Sequence, residues 1–234
     1  MVGAPLPKHD VMGPVTRAFE AGSIALAAAL LAANAMRLAR VDEPLAWWSP
    51  LALSAGALAA DLLSGLVHWF ADTWGSDSMP LLGRRLLRPF RVHHVNPDDF
   101  LARDFIDCNG DVAAIACLPL LAALAAPLPL ATFLLAFAAV SLPTNQVHQW
   151  AHRLEPPRAV AALQRWGVIL SRGAHARHHR APHVSNYCIA TGWCNRALDE
   201  LGLFAALERA VTAATGVEPR SDDRSFAERA GSAA

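Results

Sequence analysis

Four long runs of this chain carry almost no charge, and they restrict its fold more than anything else in it. They are Gly22 to Met36, Trp48 to Phe70 (interrupted by Asp61, with His68 near its end), Val112 to Ala126 and Leu130 to Val147. A helix of about 20 apolar residues is long enough to cross a bilayer. The pattern therefore predicts an all-α integral membrane protein, a bundle of about four transmembrane helices. The spans are expected near 20–37, 48–71, 111–126 and 129–152, inside one membrane domain covering 20–218. A soluble, fully buried helical bundle is the competing fold. It ranks lower because the runs recur four times in a chain with 54% hydrophobic and 17% charged residues.

Local signals refine this picture. The first run also fits a signal-peptide core with a small-residue end at Ala33-Asn34-Ala35. Its polar lead, including Asp10 and Glu20, is long for such a peptide, so residues 1–19 are read as a retained cytoplasmic segment. Pro127-Leu128-Pro129 leaves room only for a hairpin turn, which makes the third and fourth helices antiparallel neighbours. Trp47-Trp48 and Trp69 with Trp74 bracket the second run, as in an interfacial aromatic belt. Beyond Pro156-Pro157, residues Ala159 to Leu170 read as a helix on the membrane surface, with Val160, Leu163 and Trp166 toward lipid. A further amphipathic helix is expected from Ala197 to Thr215, stopped by Gly216, and the charged tail 219–234 reads as disordered.

Charge sets the orientation. Arg84, Arg85, Arg88, Arg91 and Arg103 lie between the second and third runs, and six more arginines follow the fourth. The opposite loop offers Arg37 and Arg40, offset by Asp42 and Glu43. The positive-inside rule then places both termini and the histidine-bearing regions in the cytoplasm. A net charge of zero gives no footprint for nucleic acid, and the four cysteines suit free thiols rather than a disulfide framework. No internal repeat and no nucleotide-binding glycine loop is present.

Histidine is the anomaly: nine of ten lie between His68 and His183. In order they read His68-x-x-x-Asp72, His93-His94, His148-x-x-x-His152, and His175-x-x-His178-His179. An i,i+4 spacing puts both side chains on one helix face, one turn apart. One such pair is a weak signal, since buried structural histidines, pH sensing or headgroup contacts explain one or two imidazoles. Four such elements at one membrane face point to a histidine-rich metal-binding cap. Zinc is disfavoured: the stretch at His148 is HQWAH, without the glutamate of an H-E-x-x-H protease, and eight histidines exceed either zinc arrangement. Imidazole ligation in this number suits two non-haem iron ions activating dioxygen. His183 follows Pro182, so it is read as a surface or headgroup contact, with a ligand role as the alternative. Arg91, Arg172 and Arg177 are candidates for lipid headgroup phosphate, against the plainer reading that they only set topology.

Four stretches carry a family resemblance: GLVHWFADTWGS (Gly65 to Ser76), RPFRVHHVNPDDFLARDFIDCNGD (Arg88 to Asp111), TNQVHQWAH (Thr144 to His152) and HARHHRAPHVSNYCIATGW (His175 to Trp193). Over about Ala57 to Asp222 the chain resembles the Kua/CarF lipid desaturase family. That family includes animal plasmanylethanolamine desaturases and plant plastid desaturases of phosphatidylglycerol acyl chains. The resemblance implies a membrane-embedded, non-haem di-iron enzyme using O2 and two electrons from a donor such as cytochrome b5 or a ferredoxin. It implies His68, His93, His94, His148, His152, His175, His178 and His179 as metal ligands. Asp72 and Asn109 match motif positions, Asp72 as a ligand or as a group orienting a ligand histidine, Asn109 as a weaker candidate for the latter. Gly167 and Ala174 stand where the animal pattern has histidine, which leaves the substrate open between an alkyl ether and an acyl chain. A di-iron hydroxylase, a membrane zinc hydrolase and a non-catalytic metal-binding regulator are the rival functions.

Overall fold

The computed structural model describes residues 6–40, 46–180 and 182–220. Among them there is no strand, and four helical segments are long and apolar enough to cross a membrane. These are α1 (Pro14–Ala39), α2 (Ser49–Thr73), α5 (Phe105–Ala125) and the Leu128–His152 segment, itself divided into α6 (Leu128–Ser141) and α7 (Thr144–His152). Pro143, which has no N–H to donate, marks the division.

Two helices start earlier than apolarity alone suggests, because capping rather than hydropathy sets a helix start. Pro14 occupies the first turn of α1, ahead of the expected start near 20. At α5 the Asp104 carboxylate accepts from the amides of Ile106 and Asp107 at 3.0 and 3.1 Å, so the helix begins at Phe105, ahead of residue 111.

Helix α1 packs on α5, α2 on α6, and α5 on α6 across the proline turn. The starts of α1 and α5 share one end of the bundle, where Arg17 meets Asp104 at 2.8 Å. Their finishes share the other, where the Arg37 guanidinium donates to the Ala123 and Ala126 carbonyls at 3.0 and 2.8 Å. A cation on the last carbonyls of α5 complements that helix's dipole. Helices α2 and α7 return, so their histidine-bearing C-terminal ends reach the Arg17–Asp104 end. The bundle core is small: Ala27, Leu30, Ala113, Cys117, Leu120 and Ala138. Gly56 on α2 allows close approach, since a Cβ there would lie 2.3 Å from the Phe133 carbonyl oxygen. Leu51, Leu53 and Leu121 are 69%, 48% and 50% exposed on the outer surface, an arrangement suited to lipid and costly in water.

A cap of short elements closes the histidine end. After α2 come a π-helical turn (Gly83–Leu87), α3 (Arg88–Val95) and α4 (Pro97–Ala102). After α7 come α8 (Arg158–Arg165), α9 (Arg172–His178), α10 (Asn195–Glu200) and α11 (Leu203–Thr215). Trp69, Trp74, Tyr187 and Phe204 form one cap core, and Val147, Ala151, Leu170 and Ile189 another.

Several local expectations change here. Trp69 and Trp74 are buried in the cap core, not set in an interfacial belt, because the cap covers that end of α2; Trp47 at the opposite end is exposed. Of the residues expected to meet lipid beyond Pro157, Val160 of α8 turns inward and is buried, whereas Trp166, just past the end of α8, stays exposed. The expected helix over Ala197 to Thr215 is two helices, broken at Gly202, whose φ of 61° ends the first; Gly216, at φ 71°, caps the second as expected. All four cysteines are free thiols. Of the tail, Arg220 donates its amide to the Thr73 carbonyl at 2.8 Å and its guanidinium to the Asp72 carbonyl. The remainder, 221–234, and the charges at Asp42 and Glu43 lie outside the described residues.

Candidate metal centre

Eight histidines and one aspartate meet at the capped end of the bundle, and they divide into two groups. His93, His148, His152, His175 and His179 form one; His68, Asp72, His94 and His178 form the other. Within each, the ligand atoms lie within 4.8 Å of one another. Helical phase explains part of this division. His148 and His152 share one face of α7, and His175 and His179 follow the same spacing from α9 into its cap, so all four aim at one point. His68 and Asp72 do the same at the end of α2. The dipeptides supply the rest: consecutive residues on a helix diverge, so His93 and His179 join the five-histidine group while His94 and His178 join the other.

The chemistry of these contacts fits cations. His68 Nδ1 donates to the Tyr187 carbonyl at 3.0 Å and His178 Nδ1 to the Ser185 carbonyl at 2.9 Å. A neutral imidazole has one N–H, so both Nε2 atoms are left with lone pairs. Those lone pairs face the Asp72 carboxylate, whose Oδ2 lies 3.3 Å from His68 Nε2, 3.4 Å from His178 Nε2 and 3.6 Å from His94 Nε2. Both Asp72 oxygens are buried without a hydrogen-bond partner. The second group shows the same convergence. His175 Nε2 lies 2.9, 2.8 and 2.9 Å from the Nε2 atoms of His148, His152 and His179, and no single proton can satisfy three such contacts. Buried His93 Nε2 has no partner at all. A bound cation would resolve this clash of acceptors, since imidazole and carboxylate are both metal-ligating groups.

Burial also prepares the ligands. Among the cap histidines, desolvation followed by neighbouring imidazoles holds His93, His175 and His179 far below the ordinary imidazole value. His94 is lowered to about 3, chiefly by desolvation and partly offset by Asp72. Neutral imidazole is the ligating form, so protons compete weakly for these nitrogens.

The remaining candidates fall in different places. His183, first read as a surface or headgroup contact, instead stacks on His94, with ring centroids 4.7 Å apart and planes 11° apart; with His94 and His179 it makes a third cluster of ligand atoms. Pro182 does take it off the helix, but a left-handed turn at His183 itself, φ 62°, folds the ring back over the site. Asn109 does not orient a histidine ring: its amide donates to the Phe105 carbonyl at 2.8 Å and its oxygen is buried without a partner. Arg91 is buried, with its guanidinium on the Trp74 and Gly75 carbonyls at 3.0 and 2.7 Å, and so does not face a headgroup. Arg172 is exposed beside His175, and exposed Arg177 donates to Asn186 at 3.3 Å.

Two participants escaped the sequence reading. Tyr187, the chain's one tyrosine, packs its ring 5.7 Å from His68 and 5.2 Å from His178 while its carbonyl orients His68. Asp61 looked like an interruption in the second run. It is fully buried, and its carboxylate accepts the amides of Thr191, Gly192 and Cys194 at 2.8, 2.9 and 2.9 Å, tying the Tyr187 loop to α2.

An apolar cavity of about 630 Å³ reaches the five-histidine group at His93 and His148. Its walls include Leu63 and Val67 of α2, Leu118 of α5 and Phe137 of α6. Arg85, Arg103, Asp107 and Asp111 border it at the capped end, so the five-histidine group stands at its polar end and its apolar length lies along the spans. A second cleft of about 650 Å³, walled by charged and apolar side chains together, reaches His152, His175 and His179 beside the end of α7.

The model of the lipid desaturase domain matches residues 57–222. The chain is 42% identical over 191 residues to mouse plasmanylethanolamine desaturase 1, covering 76% of this chain and 70% of that one. It is 40% identical over 216 residues to plasmanylethanolamine desaturase of Myxococcus xanthus, covering 90% and 77%. It is also 40% identical over 181 residues to the chloroplastic fatty acid desaturase 4-like 1 of Arabidopsis thaliana, covering 75% and 61%. No solved structure matches.

Proposed function

The chain belongs to the lipid desaturase family, and from that premise we propose that it forms the vinyl ether bond of plasmalogens from plasmanyl phospholipids with a di-iron centre. The observation that carries this reading is a five-histidine group at the polar end of an apolar cavity running along the spans, with a second ligand group beside it. A phospholipid in that cavity has the first carbons of its chain near the histidines and the rest among Leu63, Leu118 and Phe137. The bond beside the ether oxygen is then the one within reach.

The overall change balances simply. The lipid loses two hydrogens from adjacent carbons, and dioxygen takes them up with two electrons and two protons to give two waters. Two iron ions, when bound, supply the redox chemistry that activates dioxygen. One would be held by His93, His148, His152, His175 and His179, the other by His68, Asp72, His94 and His178. The Tyr187 and Ser185 carbonyls keep the protons of His68 and His178 on Nδ1, so Nε2 stays available. Phe90 and Phe100, whose rings lie tilted or edge-on against His68, His93 and His148, help keep water from the reacting carbons. The arginine-rich loops support placing the centre and both termini on the cytoplasmic side, within reach of an electron donor.

Expression in a host supplied with plasmanyl lipids, followed by mild acid and lipid mass spectrometry, tests the proposal. Acid-labile aldehydes are expected from the wild type and not from His178→Ala. A new acyl double bond without aldehydes moves the substrate to an acyl chain, the second reading, which the Arabidopsis relative favours. A product heavier by one oxygen makes the enzyme a hydroxylase, and bound metal with unchanged lipid makes it a regulator.

A further inference from the structure

The two ligand groups differ in how they can be reached. The apolar cavity arrives at His93 and His148, and the second cleft at His152, His175 and His179, so every member of the five-histidine group touches an opening. Neither opening is lined by His68, Asp72, His94 or His178. Those side chains are sealed, at 0% exposure for the three histidines and 4% for Asp72. A buried metal group needs an entry path as well as ligands.

One cluster joins the two groups. His94 of the Asp72 group and His179 of the five-histidine group meet His183, with ligand atoms within 4.8 Å of one another. Ring centroids lie 4.7 Å apart for His94 and His183, 5.1 Å for His94 and His179, and 6.1 Å for His179 and His183. His183 Nδ1 donates to the His178 carbonyl at 3.1 Å, which puts the imidazole lone pair on Nε2. The Tyr187 and Ser185 carbonyls impose the same tautomer on His68 and His178. A carbonyl that fixes the tautomer is the usual companion of a metal-binding imidazole. His179 and His183 are half-buried, so the cluster grades inward from partly exposed rings to the sealed side chain of His94.

We propose that His94, His179 and His183 form a third, transient cation site through which a divalent metal ion passes from the second cleft into the Asp72 group. The assignment rests on the reading of two metal groups. His179 meets the ion at the cleft, His183 completes the hold between the groups, and His94 hands it on to His68, Asp72 and His178. An imidazole is within reach at each stage. A neutral imidazole has one lone pair, so His94 and His179 cannot serve this site once both groups are filled. Saturation therefore means two ions per chain, not three.

The test uses the full-length, metal-free protein in phosphatidylcholine nanodiscs, with Co2+ under argon as the probe. Visible absorption follows uptake, transfer to a chelator follows release, and elemental analysis gives the total. The wild type should bind two ions in two phases, the slower one filling the Asp72 group. His183→Gly removes the imidazole at a position whose left-handed backbone glycine adopts without strain. Its slow uptake and the matching phase of release should both fall by about tenfold or more, the scale of losing a supporting group at a metal site, with two ions still bound at unchanged affinity. Free imidazole should restore both rates in this variant and leave the wild type as it was. If His183→Gly does not fold, His183→Asn, which also accepts a left-handed backbone, replaces it. Rates indifferent to the variant overturn the assignment. So does faster release with lowered affinity, which makes His183 a permanent ligand, or a third ion held beside the other two. One ion or none in the wild type defeats the two-group reading itself, whereas two ions with unaltered rates in the variant defeat only the transfer site.

Discussion

Replacing Asp61 should loosen the metal centre although no metal ligand is touched. Its carboxylate accepts three backbone amides of the Thr191 to Cys194 turn. That turn ends the loop in which Tyr187 orients His68 and in which the Ile189 amide donates to Ser64 Oγ at 3.0 Å. Hydrogen bonds to a charged group are worth about 1.5–3 kcal/mol each. The turn is partly open to water, and removing the carboxylate also removes the cost of burying it, so the lower end applies. Asp61→Ala should therefore cost about 3–4 kcal/mol, a large share of the roughly 5–15 kcal/mol that holds a domain together. Asp61→Asn keeps one acceptor oxygen for Thr191 and Gly192 but turns an NH2 toward the Cys194 amide, so about 1–2 kcal/mol is expected. Amide hydrogen exchange at 191–194, thermal unfolding in nanodiscs and bound iron per chain measure the effect. Exchange should speed up most at those amides, with Asn between wild type and Ala, and iron occupancy should fall in the same order. Unchanged exchange and full iron in Asp61→Ala would refute the view that this carboxylate holds the loop.

Other outcomes follow from the same geometry. Chelation should lower thermal stability, because it restores lone-pair contacts such as His175 Nε2 against three other Nε2 atoms; ferrous ion at about 100 times its Kd should return about 2.7 kcal/mol, read as a shift in unfolding temperature. His183→Ala should reduce activity less than His178→Ala does, since His183 stacks on a ligand while His178 belongs to the four-residue group; iron content and turnover measured together check the ranking. Burial, reinforced by Asp61, pushes the Cys194 thiol up to about 11. The thiolate is the reactive form, so maleimide labelling at pH 7 should be slow, should accelerate as pH rises toward that value, and should be faster in Asp61→Asn. Gly56→Ala should lower stability by at least about 1–3 kcal/mol, because the new Cβ meets backbone rather than a movable side chain; denaturation against the wild type tests this.

Much of the membrane bundle could be read from the chain because spanning helices must be long and apolar, and because i,i+4 spacing alone puts His68 with Asp72 and His148 with His152. What could not be read depends on contacts between distant segments. Spacing separates the members of each dipeptide, but which member joins which group depends on how α3 and α9 are set against the bundle, which no spacing encodes. Arg91 resembled its neighbours as a loop arginine, yet only this one finds the Trp74 and Gly75 carbonyls. For His183 helical periodicity favours a surface contact over a ligand role, but periodicity holds only while a helix continues, and one left-handed residue turns the chain back. Asp61 was seen as a flaw in an apolar run because its amide partners lie 130 to 133 residues away.

The His93-His94 dipeptide lends one residue to each metal group, and so does His178-His179. Each pair is a covalent spacer of a single peptide unit, whose Cα atoms are fixed about 3.8 Å apart. The two groups are thus tied together through the backbone itself, and only side-chain torsions remain to adjust one against the other. Breathing of the bundle would carry both groups along together. Inserting one residue into either dipeptide would keep all nine side chains and still turn one group out of register with the other.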